Sequence, residues 1–154
     1  MIRIVRGDGR AGTAKASFDA ALAAANVHEY NLRRLSSVIP AGVPVEVVGS
    51  APDLGPPGNA LDVVLAGQTS PPGARAVAGL AWARTDEGRG IFYEAGDHDP
   101  ETVRERLRTG VEHGCRLRGI DADVEMELVT VDPSPEQYAT AAVLAVYGES
   151  ESLF

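Results

Sequence analysis

Asn31-Leu32-Arg33-Arg34-Leu35-Ser36-Ser37-Val38-Ile39-Pro40 sets an extended segment against a pair of serines and closes on a proline. Tyr30 to Leu35 reads as a strand, and the serines fall at its end. Val38-Ile39-Pro40-Ala41-Gly42 then leads into a further strand over Val43–Val48. Pro40 and Pro44 cannot donate to a ladder, so this stretch belongs at a sheet edge or is irregular. Upstream, the β-branched run Ile2–Val5 predicts a first strand, broken by Gly7-Asp8-Gly9-Arg10-Ala11-Gly12. Thr13 can cap a helix from Ala14 to Ala25, with Phe18, Ala21, Leu22 and Ala25 on one side, and Asn26 ends it as a left-handed residue.

Downstream, residues 50–60 (Ser50, Pro52, Asp53, Gly55, Pro56, Pro57, Gly58, Asn59) have the composition of a surface loop. Leu61–Ala66 is an apolar run closed by Ser70-Pro71-Pro72-Gly73. Ala76–Ala83 and Gly90–Glu94 read as two strands joined by the polar turn Thr85-Asp86-Glu87-Gly88. Asp99-Pro100-Glu101 starts a second helix: an N-cap, a proline at the first position and an acid near the positive end of the dipole. Val103, Leu107, Val111 and Cys115 form its apolar stripe, and Val124–Val131 and Ala139–Tyr147 close the chain as strands. Two helices and seven or eight strands without a repeat predict a single-domain α/β sandwich around one core.

The bulk properties narrow the function classes. The chain has 154 residues, a formal charge of −8, one cysteine and 44% hydrophobic residues. It is long enough for one well-buried domain and too apolar for disorder. One cysteine excludes an intrachain disulfide and a multi-cysteine zinc site and points to a reducing compartment. No apolar run approaches the roughly 18 residues of a bilayer span, and the N-terminus does not read as a signal peptide. The acidic balance disfavours nucleic acid as a partner. Of the 14 basic residues only Lys15 is a lysine. A soluble cytoplasmic protein without a membrane or nucleic-acid partner is the expectation.

Several features invite a function that bland readings explain as well. Gly7-x-Gly9-x-x-Gly12 between a strand and a helix has the placement of a dinucleotide fingerprint, but the acid expected at the end of the second strand is missing, since that strand ends in Leu35-Ser36-Ser37. Asp97-His98-Asp99 lies at a helix start, where acids suit the dipole, and His113 sits beside Glu112 on an exposed face, so no metal site is expected. The alternating Arg and Glu of residues 101–112 read as a solvated face, and Cys115 as core.

Ser36-Ser37 gains meaning from its surroundings. Gly12-Thr13, Phe18-Asp19, Asn31-Leu32-Arg33-Arg34-Leu35-Ser36-Ser37 with Pro40, and Gly90-Ile91-Phe92-Tyr93-Glu94 together resemble the pyruvoyl-dependent arginine decarboxylases. That family's pattern is a glycine-rich turn with Thr, a helix carrying Phe-Asp, then Asn-Leu-x-Arg-x-Ser-Ser-x-x-Pro, and later a Gly, three apolar residues and a Glu. The resemblance covers nearly the whole chain, with its specific part in residues 12–40 and 90–94. The 50–60 loop and the residues just after Glu94 depart from it.

The resemblance implies a four-layer α/β/β/α sandwich and a homotrimer with sites between neighbouring subunits. It implies an arginine decarboxylase that makes agmatine and CO2 and feeds polyamine synthesis. The Ser37 hydroxyl would attack the Ser36 carbonyl, converting the peptide link to an ester. β-Elimination leaves dehydroalanine, and hydrolysis gives a pyruvoyl group and ammonia, with chains 1–36 and 37–154. In the same pattern Glu94 is the proton donor, kept protonated by burial. Asp19 pairs with the substrate guanidinium, Asn31 supports the processing site by hydrogen bonding, and Ser36 with its new carboxylate contacts substrate. Three alternatives stay open: the same scaffold acting on another amino acid, an uncleaved non-catalytic relative, and a small nucleotide-binding module using Gly7–Gly12.

Overall fold

The computed structural model describes residues Met1–Phe154. In chain order the elements are β1 (Ile2–Ala11), α1 (Ala14–Ala24), β2 (Asn31–Arg34), β3 (Val38–Ile39), β4 (Val45–Gly49), β5 (Ala60–Ser70), β6 (Ala76–Arg84), β7 (Gly90–Asp97), α2 (Pro100–Arg118), β8 (Glu125–Val131) and β9 (Tyr138–Tyr147). The strands form a five-stranded sheet in the order β2-β5-β9-β1-β4 and a four-stranded sheet in the order β3-β7-β6-β8. The two sheets face one another. Ile2, Ile4, Val64, Ala141 and Val143 of the first sheet pack on Leu80, Trp82 and Phe92 of the second. Helix α1 covers the outer face of the larger sheet through Ala21 and Leu22, with its C-cap Ala25 beside them. Helix α2 covers the outer face of the smaller one through Val103, Leu107, Val111 and Cys115. The layers are therefore α/β/β/α, and the single core expected from the sequence divides into three apolar seams.

Both helices begin as their sequences dictate. The Thr13 hydroxyl accepts from the Ala16 N–H at 3.1 Å, and the Asp99 carboxylate accepts from the Thr102 N–H at 3.0 Å. Pro100 follows Asp99 at the first turn, and Asn26 ends α1 with φ of 60°. Neither helix is long and apolar enough to cross a membrane.

The main correction concerns Gly7–Gly12. The chain does not break there: β1 continues to Ala11, paired with β9 from Ile2↔Tyr147 to Ala11↔Tyr138. The glycines serve packing. A Cβ on Gly7 would stand 1.8 Å from the Ala21 carbonyl oxygen, and one on Gly9 2.4 Å from that of Ser17. Helix α1 thus lies directly on the strand backbone. Most of the stretch is strand, so the phosphate-cradling loop of a nucleotide-binding module is not formed.

Other boundaries shift outward. The apolar run Leu61–Ala66 is the middle of the longer β5, and the Gly90–Glu94 segment extends to Asp97. The strand expected at Val43–Val48 is β4, parallel to β1 at the edge of the larger sheet. Strand β2 lies at the opposite edge, pairing with residues 60–63 of β5. Three residues separate it from β3, which is already in the other sheet, pairing Val38 with Ile91 and Ile39 with Gly90. Ser36 and Ser37 are thus the crossing between the two sheets.

Candidate functional site

The crossing opens a mouth at the margin of the sandwich. Leu35 still donates to the Val63 carbonyl at 2.9 Å, and after it the chain turns away from β5. Ser37 makes the turn with φ of 72°, one of two non-glycine residues at positive φ. A left-handed serine costs roughly 1–2 kcal/mol of backbone energy, so the neighbouring contacts must hold it there. One does so directly: the Phe92 N–H donates to the Ser37 carbonyl at 2.8 Å. A second lies one residue on, where the Tyr147 hydroxyl donates to the Val38 carbonyl at 2.7 Å.

Glu94 comes to the same place from β7. Along that strand Ile91 and Ala95 face α2, whereas Phe92 faces the other sheet. By alternation Glu94 shares the side of Phe92, at the rim beyond the end of β2. The Ser37 hydroxyl donates to Glu94 Oε2 at 3.2 Å across 57 positions of sequence. Glu94 is exposed and Ser37 half-buried, so the burial expected to protonate Glu94 is not supplied by its own chain.

Three clefts meet at this carboxylate. One of about 400 Å³ is lined by Ser36, Ser37, Phe92, Glu94, His113 and Arg118, among others. A second of about 770 Å³ runs between β7 and α2 past Glu94, Arg106, Thr109 and His113. A third of about 430 Å³ lies along the free edge of β5, with Phe18, Arg34, Thr69, Glu94 and Gly96 on its walls. Helix α2 carries two glycines four residues apart, which let side chains of β7 sit against its backbone. A Cβ on Gly110 would meet the Tyr93 ring at 2.4 Å, and one on Gly114 would meet Ile91 at 2.4 Å.

The other expected site residues are elsewhere in the chain. Asn31 Nδ2 donates to the Gly58 carbonyl at 2.8 Å, at the far end of β2 from the serines. The expected hydrogen bond from Asn31 to the processing site is therefore not made within one chain, because the 55–60 loop has captured the amide. Asp19 is exposed on α1 and has no ion-pair partner. Its neighbour Phe18 reaches the β5-edge cleft.

The structure also brings His113, Arg34 and Tyr147 to the clefts or to the Ser37 turn, none of which the sequence marks as a site residue. The glycines at 110 and 114 were the available signal for His113: two small residues one turn apart mark a close approach, and 113 lies between them. His98, by contrast, is structural: its Nδ1 lies 2.9 Å from the Arg75 carbonyl and 3.1 Å from Ser70 Oγ.

Fold and site together define a layered α/β protein with a serine–carboxylate pair in an open cleft, an arrangement suited to chemistry at a hydroxyl. The chain matches the family described as pyruvoyl-dependent arginine decarboxylase over residues 1–152. It is 51% identical to the pyruvoyl-dependent arginine decarboxylase of Halobacterium salinarum over 158 aligned residues, which span 99% of this chain and 97% of the relative. Proteins of the same name from Methanopyrus kandleri and Pyrococcus abyssi are 36% and 33% identical, covering 92% and 88% of this chain and 91% and 85% of theirs. The chain belongs to the pyruvoyl-dependent arginine decarboxylase family.

Proposed function

We propose that this protein is a carboxy-lyase that converts arginine to agmatine and CO2 with a pyruvoyl group formed from its own Ser37. The observation that carries the reading is the held Ser37. Its backbone is in a left-handed turn, its carbonyl accepts from the Phe92 N–H, and its hydroxyl lies against Glu94. These features fit the group, because it needs a serine whose hydroxyl can lose a proton and whose carbonyl is held still.

In the processing step Ser37 Oγ attacks the Ser36 carbonyl carbon, and the Ser36–Ser37 C–N bond breaks as the ester forms. Glu94 Oε2, 3.2 Å from the hydroxyl, is placed to accept its proton. Elimination expels Ser36 as a carboxylate, and one water replaces the nitrogen, which leaves as ammonia. The products are chains 1–36 and 37–154.

The pyruvoyl group, once formed, supplies the electron sink that decarboxylation requires and that no side chain offers. The rest falls to the chain's own residues. The Phe92 N–H stays on the carbonyl of residue 37 and stabilises negative charge developing toward it. Glu94 holds the proton that replaces the lost carboxyl group. Asp19, a carboxylate without a partner, suits a guanidinium.

Asn31 is bonded to Gly58 and not to Ser37 of its own chain, Asp19 has no ion-pair partner, and Glu94 is exposed. The reading therefore needs a neighbouring subunit, consistent with a homotrimer whose sites lie between chains. Leu35, Val38, Tyr93 and Leu117 support it: these exposed apolar side chains flank or line the Ser37 cleft, as an interface would require.

Intact mass spectrometry tests the proposal. Two pieces divided at Ser36/Ser37, the larger labelled by phenylhydrazine, support it, and a single uncut chain refutes it. Turnover of ornithine, lysine or histidine in preference to arginine would move the substrate assignment.

A further inference from the structure

We propose that Tyr147 is a positioning residue that holds residue 37 in place after the chain has been cut. The inference rests on the proposed scission at Ser36–Ser37. It concerns what restrains the new chain end, which the scission itself leaves open.

Tyr147 ends β9 in the larger sheet, in register with Ile2 of β1, and its hydroxyl crosses to the Val38 carbonyl of β3 in the smaller sheet at 2.7 Å. Its ring meets Phe92 edge-on, with centroids 6.2 Å apart, and Phe92 in turn packs against Trp82 at 6.0 Å. The backbone N–H of that same Phe92 holds the Ser37 carbonyl. The carbonyls of residues 37 and 38 are thus held by two donors from adjoining aromatic residues, one in each sheet.

In the uncut chain residue 37 is anchored from both directions. On one side Leu35 is bonded to Val63, and on the other β3 pairs with β7. Scission removes the first anchor entirely. What remains is a two-residue strand whose second member, Ile39, is fully buried in the core, while its first, Val38, is 52% exposed. Between the buried Ile39 and the new end, the carbonyls of residues 37 and 38 are then held by the Phe92 N–H and the Tyr147 hydroxyl. Burial pushes the Tyr147 phenol up to about 12, so it keeps its proton and remains a donor across the working range.

Tyr147→Phe tests this, because it removes the donor and leaves the ring packed against Phe92, so the fold is retained. Peptide-resolved hydrogen exchange over residues 38–41 is to be measured in two backgrounds, processed protein and the uncut Ser37→Ala chain. Loss of one hydrogen bond of ordinary strength changes a local opening equilibrium up to about tenfold. The expected result is roughly that increase in exchange on adding Y147F to the processed protein, and under twofold in the uncut background. Self-cleavage is expected to stay within about twofold of wild type while kcat for arginine falls several-fold, since a single such bond is at stake. Equal exchange increases in cut and uncut proteins make Tyr147 an ordinary structural contact and overturn the proposal. Wild-type exchange and kcat in a processed Y147F protein also overturn it, and leave the scission standing. A wild-type chain that remains whole overturns the scission and this proposal with it.

Discussion

Gly7 lies so close beneath Ala21 that a Cβ added to the strand would sit 1.8 Å from the helix carbonyl oxygen. Helix and sheet here touch backbone to backbone. Gly9 repeats the contact one helical turn away, under Ser17. Gly12, in the connection that follows, faces open space. Gly7→Ala and Gly9→Ala are therefore each expected to destabilise the fold by about 3 kcal/mol or more, the upper end of overpacking costs. Gly12→Ala is expected to leave stability within about 0.5 kcal/mol, as for an ordinary surface change. Urea denaturation of the three variants checks the contrast, and a destabilised Gly12→Ala would contradict it.

Glu94→Gln keeps the size of the side chain and removes its acid–base capacity. Because Glu94 is exposed, the fold is expected to persist. Decarboxylation by whatever processed protein forms is expected to slow by about 100-fold or more, the usual contribution of a general acid. Single-turnover release of CO2, normalised to the fraction of cleaved chain, separates this loss from slower self-cleavage.

Asp19→Asn should act on binding. The carboxylate makes no ion pair in its own chain, so the melting temperature is expected to stay unchanged. KM for arginine is expected to rise about tenfold or more, the scale of a lost charge-assisted hydrogen bond. An unchanged KM would remove Asp19 from the substrate site.

Alkaline stability offers a test independent of activity. Desolvation raises the Tyr147 phenol from 10.0 to about 12 in the folded chain. The folded state thus retains a proton that the unfolded state releases first. This contribution to stability is complete below pH 10 and is lost as pH rises from 10 through 12. The melting temperature of the uncut Ser37→Ala chain is expected to fall over that range, and to fall less steeply when Tyr147→Phe is added. Parallel curves would show that Tyr147 is not the group responsible.

The elements themselves were largely legible. β-Branched runs announced the strands, the apolar stripe at Val103, Leu107, Val111 and Cys115 announced α2, and Thr13 and Asp99 marked both helix starts. What failed had a tertiary cause. Gly7 and Gly9 carry the local signature of a turn, and only the position of Ala21 and Ser17 above them reveals why glycine is required within a strand. Ser36-Ser37 was legible as a motif, but the 3.2 Å approach of Glu94 joins residues 57 positions apart and follows from the pairing of β3 with β7. The bond from the Asn31 amide to the Gly58 carbonyl was not legible either, since it ties β2 to a loop recognisable only by its composition. His113 belongs to the site because Gly110 and Gly114 admit β7, a relation invisible along the helix alone.

Because the serines form the passage from one sheet to the other, severing that link leaves every strand with its partners. The shorter piece would hold β1, α1 and β2, with β1 enclosed between β9 and β4. Such a protein, once cut, folds as one body yet melts into two. Its recovery from denaturant becomes an association between separate molecules, slower on dilution, and the piece beginning at residue 37 would lack β1, the strand that joins β9 to β4. Scission would convert a chain able to refold alone into an assembly whose native state is reached once.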